Sequence, residues 1–487
     1  MARTASDRRM PAQIDENPHW LSRAAAVAAG ALFLSWPAFY NGFPLLYGDS
    51  MTYLDDGPIV ARAVFLHSLS SYYGVRSFFY SLGILPCHWN HSAWPIVALQ
   101  CLLVAWVVWL AVRSVAPRHS ISRFLALVGF LGLLTSVGWY AAFIMPDVLG
   151  PLLYLSIYLL VFAEDTLSRA ERWSLYPLIG WAVTAHATHL LLAAALCALL
   201  VLFAALERRS SPRRMRAVGR VAAAVALAAA AQMALHGYLY GKPTLNGERP
   251  PYLMARMIAD GPARLYLEKN CNQLQWAICN HLKSLSGDTD EFLWGDDGIY
   301  QSSSDEEKAL LSSEEMPLAV ATLRAYPREQ LYQSAANFRG QLFAFGLYGF
   351  DPSPWILAEF NHVLPSARGS YMQSRQATDA LPLDLLTDIQ WWTVVASLAA
   401  MVALVPLLWR RHSVRVAGLG LVVVSMVVFN AMVTGVLSVV DDRYGCRVIW
   451  LVPLLAGLLL LDWLHQLETA KVESRTRATQ EQVAVLV

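Results

Sequence analysis

Apolar residues in this chain come in blocks, and the blocks have the length needed to cross a lipid bilayer as helices. A crossing takes roughly 17–25 mostly apolar residues, because a helix rises about 1.5 Å per residue through about 30 Å of hydrocarbon. Such blocks cover 22–40, 93–112, 122–138, 147–163, 174–188, 189–206, 217–238, 390–409, 414–438 and 447–464. Strands of an outer-membrane barrel need only about 9–11 alternating residues. The expectation is therefore an all-α polytopic membrane protein with about ten transmembrane helices. Composition agrees: 56% of residues are hydrophobic and 15% charged, where a soluble chain carries about 25% charged residues. The net charge of +1 gives no sign of a nucleic-acid partner.

Arginine placement sets the orientation. The stretch Ala24 to Phe39 has no small-x-small cleavage site and runs straight into Asn41-Gly42-Phe43-Pro44, which reads as a retained anchor. Arg3, Arg8, Arg9 and Arg23 precede it and predict a cytoplasmic N-terminus. The inner loops then hold Arg113 and Arg118, Arg169 and Arg172, Arg208, Arg209, Arg213, Arg214 and Arg216, and Arg410 and Arg411. The short outer turns at 139–146 and near 188 hold no Lys or Arg. Only Thr184, His186, Thr188 and His189 mark the break between the fifth and sixth blocks. Reading that pair as one helix would invert everything after it and turn the arginine clusters outward, against the positive-inside rule.

This topology predicts a seven-helix module over 1–238 whose first outer loop is 42–92. A mostly helical outer domain follows over 239–389, then a three-helix segment over 390–466 and a cytoplasmic tail over 467–487. Within the outer domain, 304–335 and 335–347 read as helical; Ser302-Ser303-Ser304 and Asp351-Pro352-Ser353-Pro354 read as breaks. Cys271 and Cys279 lie close together there, where an oxidising compartment permits a disulfide. Cys101 and Cys197 sit inside apolar blocks as packing residues.

Candidate chemistry gathers on the outer side. Tyr47-Gly48-Asp49-Ser50-Met51-Thr52-Tyr53-Leu54-Asp55-Asp56-Gly57-Pro58 has room for about two helical turns before Gly57-Pro58, with Asp49, Tyr53 and Asp56 on one face. A carboxylate shielded at a membrane surface can act as a general base; Asp49 can equally be a helix N-cap. Arg76, opening an aromatic stretch, can hold a lipid phosphate or extend to the headgroups, and composition favours the second. Pro146-Asp147 suits a helix start, yet a boundary acid is a functional suspect. Asp441-Asp442-Arg443-Tyr444-Gly445-Cys446-Arg447 reads as a highly charged outer turn. There Asp441 or Asp442 can pair with Arg443, or Arg443 and Arg447 can hold a phosphate. His186 and His189 read as a polar hinge sooner than a metal pair.

In order and location these motifs resemble the GT-C superfamily of integral-membrane glycosyltransferases, which includes protein O-mannosyltransferases, oligosaccharyltransferases and lipid A aminoarabinose transferases. The resemblance rests on Gly48-Asp49-Ser50…Tyr53, Arg76-Ser77…Tyr80-Ser81, Pro146-Asp147 and Arg443-Tyr444…Pro453, and it covers 22–238 and 430–460. It implies inverting transfer of a sugar from a polyprenyl-phosphate carrier to a lipid, glycan or protein acceptor. The site would face the periplasm of a bacterial inner membrane. Asp49 matches the catalytic first-loop acid and Asp147 the second acid, which in relatives helps the site or a divalent metal. Arg443, with Arg76 and Arg447, would hold the donor phosphate, while Tyr53, Asp55, Asp56 and Tyr444 would contact substrate. One departure stands out: relatives often have adjacent acids in the first loop, whereas Ser50 follows Asp49 here and the pair is Asp55-Asp56. The rival readings are a flippase or transporter of a lipid-linked sugar and a non-catalytic membrane scaffold.

Overall fold

A computed structural model describes residues 19–66, 76–206, 212–245, 249–409 and 414–485. Arg3, Arg8, Arg9, Arg208, Arg209, Arg410 and Arg411 lie outside the described residues. Among the described residues there are only helices and turns, with no strand. Seven helices are long and apolar enough to cross a membrane. These are α1 (Trp20–Asn41, bent at Ser35), α4 (Trp94–Val115), α8 (Ala187–Leu206) and α9 (Pro212–Tyr240), followed by α16 (Leu383–Trp409), α17 (Val414–Leu437) and the continuous pair α18 (Asp442–Ile449) and α19 (Leu451–Val485). The blocks at 122–138, 147–163 and 174–188 fall on shorter helices: α5 (Ser120–Leu134, 15 residues), α6 (Leu149–Phe162, 14 residues) and α7 (Arg169–Ala185, 17 residues).

Local chemistry explains where these helices stop. Ser168 and Glu171 form a reciprocal capping box at the start of α7. Between α7 and α8, His186 is extended (φ −151°, ψ 136°), so the fifth and sixth blocks are two helices. α6 is buried along its whole length, a helix surrounded by other helices.

Of the expected first outer loop, 42–66 and 76–92 are described, and they hold more helix than the sequence suggests. α2 (Gly48–Leu66) runs through Gly57-Pro58 instead of ending there. Gly57 lets α3 (Phe78–His88) pack directly on α2: a β-carbon at Gly57 would sit 3.0 Å from the Ser81 carbonyl oxygen. Just before α2, Leu45 forms an isolated parallel bridge with Phe143: Leu45 N–H donates to Ala142 O at 3.1 Å, and Ile144 N–H donates to Leu45 O at 3.0 Å. Two segments about 100 residues apart are thereby stitched together.

The segment 239–389 divides in two. Residues of α10 (Tyr252–Ala259), α11 (Pro262–Asn270), α12 (Thr289–Trp294) and α13 (Asp305–Ala325) build their own small core around Met254, Ile258, Leu267, Phe292, Leu311 and Leu318. The Cys271–Cys279 disulfide closes within it. The helix break falls at Tyr326-Pro327, not at 335, because the residue before proline is driven out of helical backbone: Tyr326 takes φ −133°, ψ 54°. After it, α14 (Pro327–Phe343) packs along α17. Leu347, Phe350, Ile356, Phe360 and Tyr371 join the core of the membrane helices. Gln376 seals the join, its side-chain amide donating to Leu46 O at 2.7 Å while its carbonyl accepts from Leu46 N–H at 3.1 Å. The later half of the expected outer domain therefore belongs to the membrane body.

The end of the chain also differs from expectation. Asp441 caps a helix by accepting from Arg443 N–H at 2.7 Å, so Asp442–Ile449 is helical and not a turn. α19 continues to Val485, through most of the segment expected as a tail over 467–487.

Candidate functional site

α18 carries Arg443, Tyr444 and Arg447 on its first two turns. Its backbone is held from several sides. Tyr140 hydroxyl donates to Arg443 O (2.9 Å), Asn430 amide to Tyr444 O (2.7 Å) and Ser136 hydroxyl to Cys446 O (2.6 Å). Asp442 accepts from Gly346 N–H at 2.6 Å. Gly445 is required where α18 meets the chain after α14: a β-carbon there would lie 1.8 Å from Ala344 O.

Two acid–arginine pairs result. Asp49, in the first turn of α2, accepts from Arg76 Nη2 at 2.6 Å, and its other oxygen lies 3.8 Å from Arg443 Nη1. Asp49 is thus held by side chains and is not an N-cap. Arg76 pairs with it instead of extending to headgroups, and its guanidinium lies under the Trp294 ring at 5.6 Å. Burial opposes the charge on Arg76, but Asp49, Tyr252 and Tyr53 together hold its pKa above the usual value. Arg443 lies 4.5 Å from the Tyr47 ring centre and 4.9 Å from that of Tyr444, a cation between two aromatic faces. Neither Asp441 nor Asp442 pairs with the Arg443 guanidinium; its carboxylate neighbour is Asp49. Arg443 Nε and Nη1 are buried without a hydrogen-bond acceptor.

The second pair is Asp147 with Arg447, at 3.3 Å. Asp147 sits in a single 3₁₀ turn, Pro146–Val148, ahead of α6. Arg447 donates twice to Asn430 Oδ1 (3.0 and 2.8 Å) and once to Thr188 Oγ1 (3.3 Å). Both side chains are sealed, 0% and 1% exposed, against 25% and 15% for Arg76 and Asp49. Arg447 therefore holds α18 in place and does not reach the membrane face. Asp147 Oδ2 has no hydrogen-bond partner.

The expected residues converge: Asp49, Asp147, Arg76, Arg443, Arg447 and Tyr444 form one connected cluster. Tyr53 is buried beside it against Tyr80, ring centres 4.9 Å apart, and burial raises its pKa. Burial likewise pushes Tyr47 up to about 12 against the pull of Arg443, so it stays a neutral phenol at physiological pH. Asp55 is half-buried further along α2, and Asp56 is buried.

Trp294 and Tyr252 come from helices of the small separate core around Met254, and no pattern in that segment signals them. Burial pushes Tyr252 up to about 12, with Arg76 opposing. Asn430 did leave a signal, as an amide inside the apolar block 414–438. His186 and His189 form the hinge: His186 Nδ1 bonds Thr188 Oγ1 and His189 Nδ1 bonds Ala182 O, each at 2.8 Å.

A divalent metal does not fit this donor set. Among the described residues no group of three or more His, Cys, Asp or Glu converges, and Asp49 and Asp147 each already face a guanidinium. Comparison of the chain with family models, curated proteins and solved structures gives no match.

Proposed function

We propose that this protein is a GT-C-type membrane glycosyltransferase with ten crossings. It moves a sugar from a polyprenyl-phosphate carrier to a lipid, glycan or protein acceptor at the periplasmic face of a bacterial inner membrane. The observation that carries this reading is the open half of the cluster. Asp49 is reachable from outside, two guanidiniums flank it, and Arg443 keeps two buried N–H groups without an acceptor. Three arginines against two carboxylates leave surplus positive charge where a leaving phosphate would need it. The two-helix break at His186 supports the ten-crossing count, because it keeps Arg213 and Arg220 on the face opposite Asp49.

In the proposed reaction, the acceptor hydroxyl gives its proton to an Asp49 oxygen as its own oxygen attacks the anomeric carbon. The bond from that carbon to the carrier phosphate breaks, and the sugar inverts. Arg76 and Arg443 take up the charge that develops on the departing phosphate. Asp147 and Arg447 never meet substrate; they fix α18, and with it Arg443 and Tyr444.

The test is product formation by the purified full-length protein in liposomes carrying a polyprenyl-phosphate sugar and acceptor. Asp49→Asn should lower turnover by at least about 10²-fold, as loss of a general base does, with unchanged thermal unfolding. Full turnover by this variant would remove Asp49 as the base. Carrier moved across the bilayer without product would identify a flippase, and carrier bound without either would identify a scaffold.

A further inference from the structure

The short helix α12 has two faces with different company. Phe292 and Leu293 turn into the small separate core and are each 1% exposed. Asp290 and Trp294, four positions apart, share another face. Trp294 stands over the Arg76 guanidinium, 5.6 Å from ring centre to carbon, and meets the Tyr252 ring at 6.3 Å. Asp290 lies near enough to Arg443 and Asp441 for both charges to act on it. One face of α12 thus addresses both guanidiniums that flank Asp49.

Packing explains only part of this. A tryptophan that merely docks the small core would be buried as Phe292 and Leu293 are, yet Trp294 is 39% exposed. A carboxylate that merely starts α12 would cap it, and Asp288 already does so, accepting from Asp290 N–H at 2.7 Å and Glu291 N–H at 2.9 Å. Asp290 is exposed, yet nearby protein shields it enough to raise its pKa; Asp288 and Asp441 add to the rise and Arg443 opposes it. An indole and a carboxylate are therefore left open beside Arg443, which is 8% exposed and keeps Nε and Nη1 without an acceptor.

We propose that α12 receives the sugar of the lipid carrier, with Trp294 against its C–H face and Asp290 accepting from its hydroxyls. This rests on the glycosyltransferase reading and assigns the sugar-recognising part of that site. A sugar ring has an apolar C–H face and a rim of hydroxyls, and sites meet such ligands with aromatic surface and a few placed polar groups. An ionised carboxylate has acceptor positions only, which suits hydroxyl donors. The sugar is bonded directly to the phosphate that Arg76 and Arg443 would take, so its holder must stand one ring away from those guanidiniums. α12 stands there. Arginines that grip a phosphate read nothing of the sugar, and this helix supplies the discrimination.

The experiment measures binding to the full-length protein in nanodiscs, with thermal unfolding alongside. The probes are undecaprenyl phosphate, bare or bearing glucose, mannose, galactose or N-acetylglucosamine. At least one sugar-bearing carrier should bind about tenfold more tightly than the bare one. Trp294→Ala should remove that preference, about tenfold, and leave affinity for the bare carrier unchanged. Trp294→Phe keeps a ring face and should retain most of it. Asp290→Asn, at an exposed position, should cut the preference about fivefold and tests the site even where Trp294→Ala folds poorly. Equal weakening of bare and sugar-bearing carriers by Trp294→Ala would show that Trp294 only positions Arg76, and would overturn the assignment. Wild type that binds every carrier equally would overturn it too, with the transferase reading left standing. Binding of free glucose or mannose lost in Trp294→Ala, with the carrier preference intact, would place an acceptor sugar on α12 and overturn the donor assignment. Wild type that binds neither bare nor sugar-bearing carrier would instead remove the transferase reading itself.

Discussion

The two acid–arginine pairs of the candidate site differ in what surrounds them. Asp49–Arg76 is short, partly open, and has a second guanidinium within 4 Å of the same carboxylate, at 3.8 Å. Asp147–Arg447 is longer, wholly sealed, and supported by Asn430 and Thr188. An ion pair that water can reach contributes little to stability, and its partners remain able to exchange for a ligand. A sealed pair cannot exchange, and breaking it strands a buried charge. On the proposed reading, the difference gives ligand chemistry to the first pair and positioning to the second.

The largest effect should come from breaking the sealed pair. Arg447→Met leaves Asp147 buried and unpaired, and should cost about 3–5 kcal/mol, read as a fall in unfolding temperature in detergent. Combining it with Asp147→Leu should recover most of that loss, because both charges are then gone. A loss under about 1 kcal/mol for Arg447→Met alone would place the second pair in the same class as the first. Next in size, Gly445→Ala pushes a methyl group against Ala344 O and should cost about 1–3 kcal/mol. It should lower carrier affinity as well, since α18 bears Arg443; unchanged carrier binding would show that α18 tolerates movement.

Smaller effects belong to the open pair. Asp49→Asn should change stability by about 1 kcal/mol or less while removing transfer activity, a separation that the same change at Asp147 should not show. Smallest of all should be the response to salt. Near-molar salt screens within about 3 Å, so it should weaken carrier binding at Asp49–Arg76–Arg443 and leave the unfolding temperature of the sealed pair's helices nearly unchanged. Equal salt sensitivity of both would erase the contrast.

Much of this architecture was readable from the residues. Apolar blocks predict apolar helices because lipid leaves backbone polar groups no other partner. The helix break, found at His186, and the Cys271–Cys279 pairing follow from local composition as well. The candidate residues were also legible, since charged residues at membrane boundaries are few. Their partners were not. The motif at 441–447 reads as a turn, and it is a helix because Asp441 happens to cap it. The Gly57-Pro58 break is overridden because α3 packs where a side chain at 57 would stand. Trp294 reaches Arg76 from a core of its own, and nothing near it in sequence marks that role.

Sequence by itself determined the solvent of this protein, its helical class and which side chains carry charge at the membrane surfaces. Those properties follow from composition and period along the chain, which need no distant partner. Only the tertiary structure decided which acid meets which arginine, and which of the two pairs stays open to water. Burial is a property of neighbours hundreds of residues away: Arg447 finds Asp147 across 300 positions, and no local pattern encodes that meeting.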